Sequence, residues 1–363
     1  MSPAPRIYRR ASALASALAL VSALGLVLEL ALGLAVSVAA RPALAGDGLD
    51  AARLGVLYNR SVASSAAVAR SYARQRAVPP ENLIAVDLED IDVLHPDVFK
   101  TARDAALARL PARVQSLLLV WTKPYAVGCM SITTAFAAGF RPEFCAPSCG
   151  RTTLNPLFDA AGWLPADTVG WWPSMLLPSD DAGLAAGIIR RGLAADGSAP
   201  AGTVYLVRTQ DATRNVRAAL YDDTALELAG RVRIQQLTTP VSHEIPDAIG
   251  YFTGIARVDE LPRIHFRPGA IADHLTSAGG VLDGGSQMSA IAWLRQGATA
   301  SYGTVSEPCN HQEKFPRPDV FFAHYLRGET LIEAYWKSVA MPGQGIFIGE
   351  PLARPYATRM SPR

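Results

Sequence analysis

Residues 114–121 read VQSLLLVW, an apolar run with no polar face. A strand of that kind is buried on both sides, and helices must cover both sides of its sheet. That requirement restricts the chain to layered α/β folds with a mostly parallel sheet. The surrounding sequence fits. Residues 54–57 form a first strand, followed by a helix that Ser61 can cap and whose apolar positions are Val62, Ala66, Val68, Ala69 and Tyr72. Pro79-Pro80 ends that helix, residues 83–88 form a second strand, and Asp97 caps a helix reaching Leu110. Strand and helix alternating at this spacing predict right-handed crossovers between parallel strands.

The last third repeats the logic. Ile291, Leu294 and Arg295 sit on a short helix ended by Gly297, and residues 298–305 read as a buried strand. Pro318 and Asp319 open a longer helix with Val320, Phe321, Tyr325, Leu326, Leu331, Tyr335 and Trp336 at helical spacing and a break at Gly328. Residues 346–348 make a final strand. Between lie a helix capped by Asp180 or Asp181, strands at 204–207, 231–237 and 248–253, a strand or extended pass at 270–275, and a helix over 214–228.

Residues 125–178 break the rhythm. They hold Cys129, Cys145, Cys149, Trp163, Trp171 and Trp172 among several prolines, and read as an ordered insertion. Its tryptophans either pack it onto the sheet edge or line a groove for a peptide or glycan. The expected organisation is a targeting segment over 1–45, an α/β half over 46–124, the insertion over 125–178 and a second α/β half over 179–363.

The N-terminus explains much of the 50% hydrophobic content of the 363 residues. Arg6, Arg9 and Arg10 precede an uncharged run over 11–28, and Ala43-Leu44-Ala45 stands before Gly46. That is a secretory signal cleaved after Ala45. The run is long for such a core, so a retained membrane anchor is the alternative. Export, periplasmic or beyond, permits disulfides, and the four cysteines allow three pairings. A net charge of +2 offers nothing to nucleic acid, and a membrane partner is expected only if the N-terminal segment is retained.

Chemistry concentrates after two strands. Glu307, Cys309, His311 and Glu313 alternate on the loop between a strand and the long helix, where α/β proteins place function. Glu307 with His311 suits a general acid–base pair or, weakly, a transition metal. Cys309 beside His311 suits a thiolate–imidazole pair, unless a disulfide occupies it. Asp273-His274 ends another strand, and alternation turns only one of them toward a pocket. His243-Glu244 reads as a solvated pair. The glycines over 277–286 match neither the P-loop nor the GxGxxG pattern, and no cofactor is expected.

Across nearly the whole mature chain the sequence resembles an uncharacterised family of exported bacterial proteins. The resemblance is carried by LGVLYNRSVASSAAVARSYARQRAVPPENLIAVDL, LLLVWTKPYAV, YLVRTQDAT, IGYFTG, FRPGAIADHLTS, GATASYGTVSEP, PDVFFAHYLRGETLIEAYW and IFIGEPL. It implies no activity. The last third is also similar in layout to the caspase and gingipain-like cysteine peptidases. IGYFTGIARV takes the place of the strand ending in the catalytic His, AIADHLTSAGG that of the strand ending in the catalytic Cys, and GATASYGTVSEP that of the strand that follows. The His place falls near Ile255 and the Cys place near Ser277, with Glu350 where the pattern usually has Asp. The resemblance therefore implies a caspase/gingipain-like fold without the peptidase dyad. The leading expectation is an exported protein binding a small molecule, peptide or glycan near Glu307. The rivals are a cysteine hydrolase using Cys309, His311 and His274, and a metal-assisted hydrolase using Glu307 and His311.

Overall fold

The computed structural model describes residues 48–357. The signal or anchor expected over 1–45 lies outside the described residues. Among the described residues no helix is long and apolar enough to cross a membrane.

The doubly buried run becomes strand β4, Ser116–Val120, every residue of it buried. Before it come β1 (Leu54–Asn59), helix α1 (Ser65–Arg76), β2 (Leu83–Val86), β3 (Val93–Leu94) and α2 (Pro96–Leu107). Helix α1 starts later than Ser61, because Asn59 Oδ1 accepts the Ser61 amide in a turn. Ser65 then ties the helix to the sheet, accepting from the Asn59 amide at 2.8 Å and donating to the Val120 carbonyl. Its last turn carries Arg74 and Arg76, which suit the negative end of the helix dipole. Helix α2 is capped by His95, with Pro96 at its first position, rather than by Asp97.

The insertion supplies β5 (Ala126–Val127), β6 (Met130–Ser131), α3 (Ile132–Ala138), α4 (Ala166–Val169) and β7 (Ser174–Leu176). Strands β3, β5 and β6 form a small sheet of their own. Next come α5 (Ala182–Ala195), capped by Asp181, and β8 (Thr203–Arg208). The expected helix over 214–228 is a 3-10 stretch at Asn215–Leu220 followed by α6 (Tyr221–Glu227). The chain closes with β9 (Arg233–Thr238), β10 (Ile245–Thr253), β11 (Ile264–His274), α7 (Ile291–Gln296), β12 (Ala300–Thr304), α8 (Pro318–Tyr325), α9 (Leu331–Ser338) and β13 (Gly345–Gly349). Gly328, at φ +88°, breaks the long helix into α8 and α9 as expected, and a Thr330/Glu333 capping box restarts it.

Both α/β halves build one sheet, in the order β2-β1-β4-β7-β13-β12-β11-β10-β8-β9. Strands β2, β1, β4 and β7 pair in parallel, as do β12, β11, β10, β8 and β9. Strand β13 stands between them, antiparallel to β12. The insertion is thus no edge ornament. Its last residues place β7 at the centre of the sheet, a three-residue strand too short to show as a periodic signal. Trp171 is buried against Phe144 and Trp336, at 5.6 and 6.0 Å between ring centres. Trp163 and Trp172 are half-buried against the same core.

Candidate site at the carboxyl edge of the sheet

The loops that follow β4, β11 and β12 meet on one edge. Lys123, after β4, reaches Asp283, after β11, at 3.4 Å. Ser306, after β12, donates to the Cys129 carbonyl at 2.7 Å. Ligands bind along this edge in open α/β sheets.

Glu307 leaves β12 here and is exposed. With Cys149, Cys309, Asn310 and His311 it lines a shallow depression of about 470 Å³. Glu307 Oε1 accepts the Cys309 amide at 2.7 Å, and its carbonyl accepts Gln344 Nε2. The carboxylate therefore also braces its own loop. His311 Nε2 lies 2.8 Å from the Cys149 carbonyl. Glu313 turns away and pairs with Arg151 at 2.7 Å. Against the cost of burial, a backbone hydrogen bond and then Arg151 hold its carboxyl below the usual range. Lys314 is buried behind the depression, and Nζ donates to the Gly150 carbonyl at 3.3 Å. Burial lowers its ammonium pKa, and the nearby charges of Glu307 and Glu313 oppose that shift.

All four cysteines are bonded, as Cys129–Cys145 and Cys149–Cys309. The sequence leaves all three pairings open, and the structure selects one, in which Cys145 takes Cys129. Cys149 takes Cys309, 160 residues away in sequence. A reactive Cys309 thiolate beside His311 is thereby corrected: the sulfur is spent in a bond, and only a thiolate is a nucleophile. The two cystines fit an oxidising, exported environment.

Asp273 and His274 are likewise removed from any pocket. Both are buried, on opposite faces of the sheet. Asp273 forms an ion pair with Arg217, and both side chains are 1% exposed. Burial raises the Asp273 pKa, and Arg217 only partly offsets this. His274 accepts from Trp293 Nε1 at its Nδ1, 2.9 Å away, and its Nε2 donates to the Met288 carbonyl at 2.8 Å. One acceptor and one donor nitrogen make a neutral ring. Burial accordingly drives its pKa down to about 4.

The other sequence candidates resolve into structure. Glu244 pairs with His265 on the surface at 2.9 Å, not with His243. The glycines over 279–280 press against β12. A Cβ on Gly303 would stand 2.4 Å from the Gly279 carbonyl carbon, so these glycines serve close packing rather than a phosphate. Glu350 is buried and bound by Tyr72 at 2.7 Å and by Arg76 at 2.7 and 2.9 Å. At the two dyad places, Gly254 packs on the Arg214 backbone, and Thr276 beside Ser277 accepts from Arg214 Nε at 3.0 Å and donates to Gln287 at 2.7 Å.

Charges also gather around Lys123, a cluster not singled out above. Asp92 and Asp283 flank that ammonium at 3.8 and 3.4 Å. Tyr125 is pushed up to about 12, mainly by burial and then by Asp92. The signal was available, because Thr122-Lys123-Pro124-Tyr125 directly follows the doubly buried strand. A second missed cluster lies on the helices. His324, buried, lies 2.7 Å from Glu329 and 3.1 Å from Asp159 of the insertion, and Lys337 pairs with Glu329 at 2.7 Å. Among the described residues no group of three or more His, Cys, Asp or Glu is placed to hold a metal ion.

No family model and no curated protein matches the chain. Among solved structures, one described as "Structure of Protease" is similar at 11% identity, covering 85% of this chain and 79% of its own, with a TM-score of 0.46. At that level neither residues nor activity carry across.

Proposed function

We propose that this chain is an exported α/β binding protein whose ligand sits in the depression beside Glu307, on a caspase/gingipain-like layout that has lost the cysteine dyad. One observation carries the reading: Glu307, Asn310 and His311 line a cavity of about 470 Å³ at the carboxyl edge of the sheet. A carboxylate, an amide and an imidazole together offer acceptors and donors to a small polar molecule, a peptide end or a glycan. The layout is supported by adjacency. The three segments that resemble the peptidase strands are β10, β11 and β12, neighbours in that order. Loss of cysteine chemistry is supported by the two cystines and by Ile255 and Ser277 at the dyad places.

Metal-assisted hydrolysis has less support. One Glu307 oxygen and one His311 nitrogen are already committed to backbone partners. The test is a screen of peptide and glycan arrays with the mature chain, followed by titration calorimetry of each hit against Glu307→Gln. Weaker binding by the variant, with unchanged unfolding temperature, is expected. Hits that bind wild type and variant equally would overturn the assignment. Peptide turnover by the wild type that Cys309→Ala abolishes would overturn the absence of peptidase chemistry.

A further inference from the structure

The two cystines differ in setting. Cys129 and Cys145 are half-buried against the main core. Cys149 is exposed, Cys309 is half-buried, and both line the depression. Both also hold left-handed backbone angles, φ +62° and +58°. Residues other than glycine seldom occupy that region unless their surroundings force them into it. Here the bond joins the insertion to the loop after β12.

What the bond holds in place is specific. The segment 149–151 covers residues 311–314. His311 Nε2 donates to the Cys149 carbonyl, Lys314 Nζ donates to the Gly150 carbonyl, and Arg151 pairs with Glu313. Of these, the Arg151–Glu313 pair is partly solvated and weakly holding. Lys314 is buried and bonded to this flap, which the S–S bond of exposed Cys149 ties to the loop after β12.

We propose that Cys149–Cys309 is a latch opened by dithiols, and that its opening uncovers the Lys314 amine behind the depression. This regulation rests on the binding reading for its consequence, but its chemistry is read directly on thiols and amine. A thiolate of the dithiol attacks the sulfur of Cys149, an exposed residue. The S–S bond breaks, and Cys309 leaves as a thiolate and takes a proton from solvent. The second thiol of the reductant then attacks the mixed disulfide and releases Cys149 as a thiol. The two electrons come from the dithiol, which ends as a disulfide, and the two cysteines end as thiols. The flap, freed at Cys149, lifts from Lys314. Rehydration raises the amine's pKa again, so access rather than basicity drives its reactivity.

The experiment uses the oxidised full chain under native conditions. Graded dithiothreitol is followed by N-ethylmaleimide for thiols, an acetylating ester for amines, and peptide mass mapping. The expected result is that Cys149 and Cys309 take label at lower dithiothreitol than Cys129 and Cys145. In the same step acetylation of Lys314 should rise several-fold, while exposed Lys100 does not change. The proposal is overturned if Cys129–Cys145 opens first or together with it. It is also overturned if Lys314 stays unreactive once Cys149 and Cys309 carry label. The Cys149→Ser/Cys309→Ser variant should show a reactive Lys314 without reductant, with circular dichroism checking its fold. Should that variant not fold, the wild-type titration decides alone. A latch that works while Glu307→Gln leaves every array hit unchanged would sink the binding reading and leave the latch standing.

Discussion

Strands β11 and β12 are neighbours, and each delivers acids and imidazole to its carboxyl end, yet the two sets of residues have opposite fates. Asp273 and His274 lie within the last turn of pleat, where the sheet is covered on both faces. Glu307 and His311 lie a few residues beyond β12, where the chain has left the covered region. Position relative to the strand's end, more than residue type, thus decides whether a polar group stays open to solvent or is buried and paired. Inside the sheet a charge must find a partner, and Asp273 has Arg217. Past the sheet, Glu307 needs only a backbone amide and water.

Variants sharpen this contrast in order of size. The largest effect belongs to the loop, through the unfolded chain. Removing Cys149–Cys309 frees a closure of 160 residues, and Cys129–Cys145 one of 16. Chain entropy values these at ~5 and ~3 kcal/mol respectively. Double Cys→Ser variants compared by urea denaturation should keep that order; the reverse would place the difference in native-state contacts.

The next effect belongs to the buried pair. Asp273→Ala leaves Arg217 charged and buried, a loss of about 3–5 kcal/mol. Replacing both members by apolar residues should recover much of it. An Asp273→Ala protein as stable as wild type would show that the carboxylate is not held as described.

His274 gives a pH signature that the loop lacks. Its folded pKa is about 4, set by burial, against 6.5 in the unfolded chain. Between those values the unfolded chain binds more protons, so stability rises with pH. The contribution is complete above pH 6.5 and is lost as pH falls toward 4, roughly 3 kcal/mol in all. His274→Gln should flatten that part of the stability–pH curve, and an unchanged slope would contradict the neutral buried ring.

The smallest effects are at the depression. Glu307→Gln should move stability by no more than about 1 kcal/mol while altering ligand binding. Glu313→Gln breaks a partly exposed pair with Arg151, also worth at most about 1 kcal/mol, and should leave binding closer to wild type. A binding loss confined to Glu313→Gln would transfer the site to the Arg151 flap.

The layered α/β class was legible along the chain, because the run ending in Val120 cannot sit in any sheet with a wet face. So were most helices and strands, the breaks at Gly297 and Gly328, and the loop that carries Glu307 and His311. These are local matters of periodicity, caps and turn residues. Three other features came only from long-range contacts. Such contacts inserted the three residues of β7 between β4 and β13, since pairing partners leave no periodic trace in so short a strand. They joined Cys149 to Cys309, since cystine choice depends on which loops meet at the sheet edge. And they assigned Asp273 to Arg217 and His274 to Trp293, because burial is a property of what covers a strand, and those covers come from other elements of the chain.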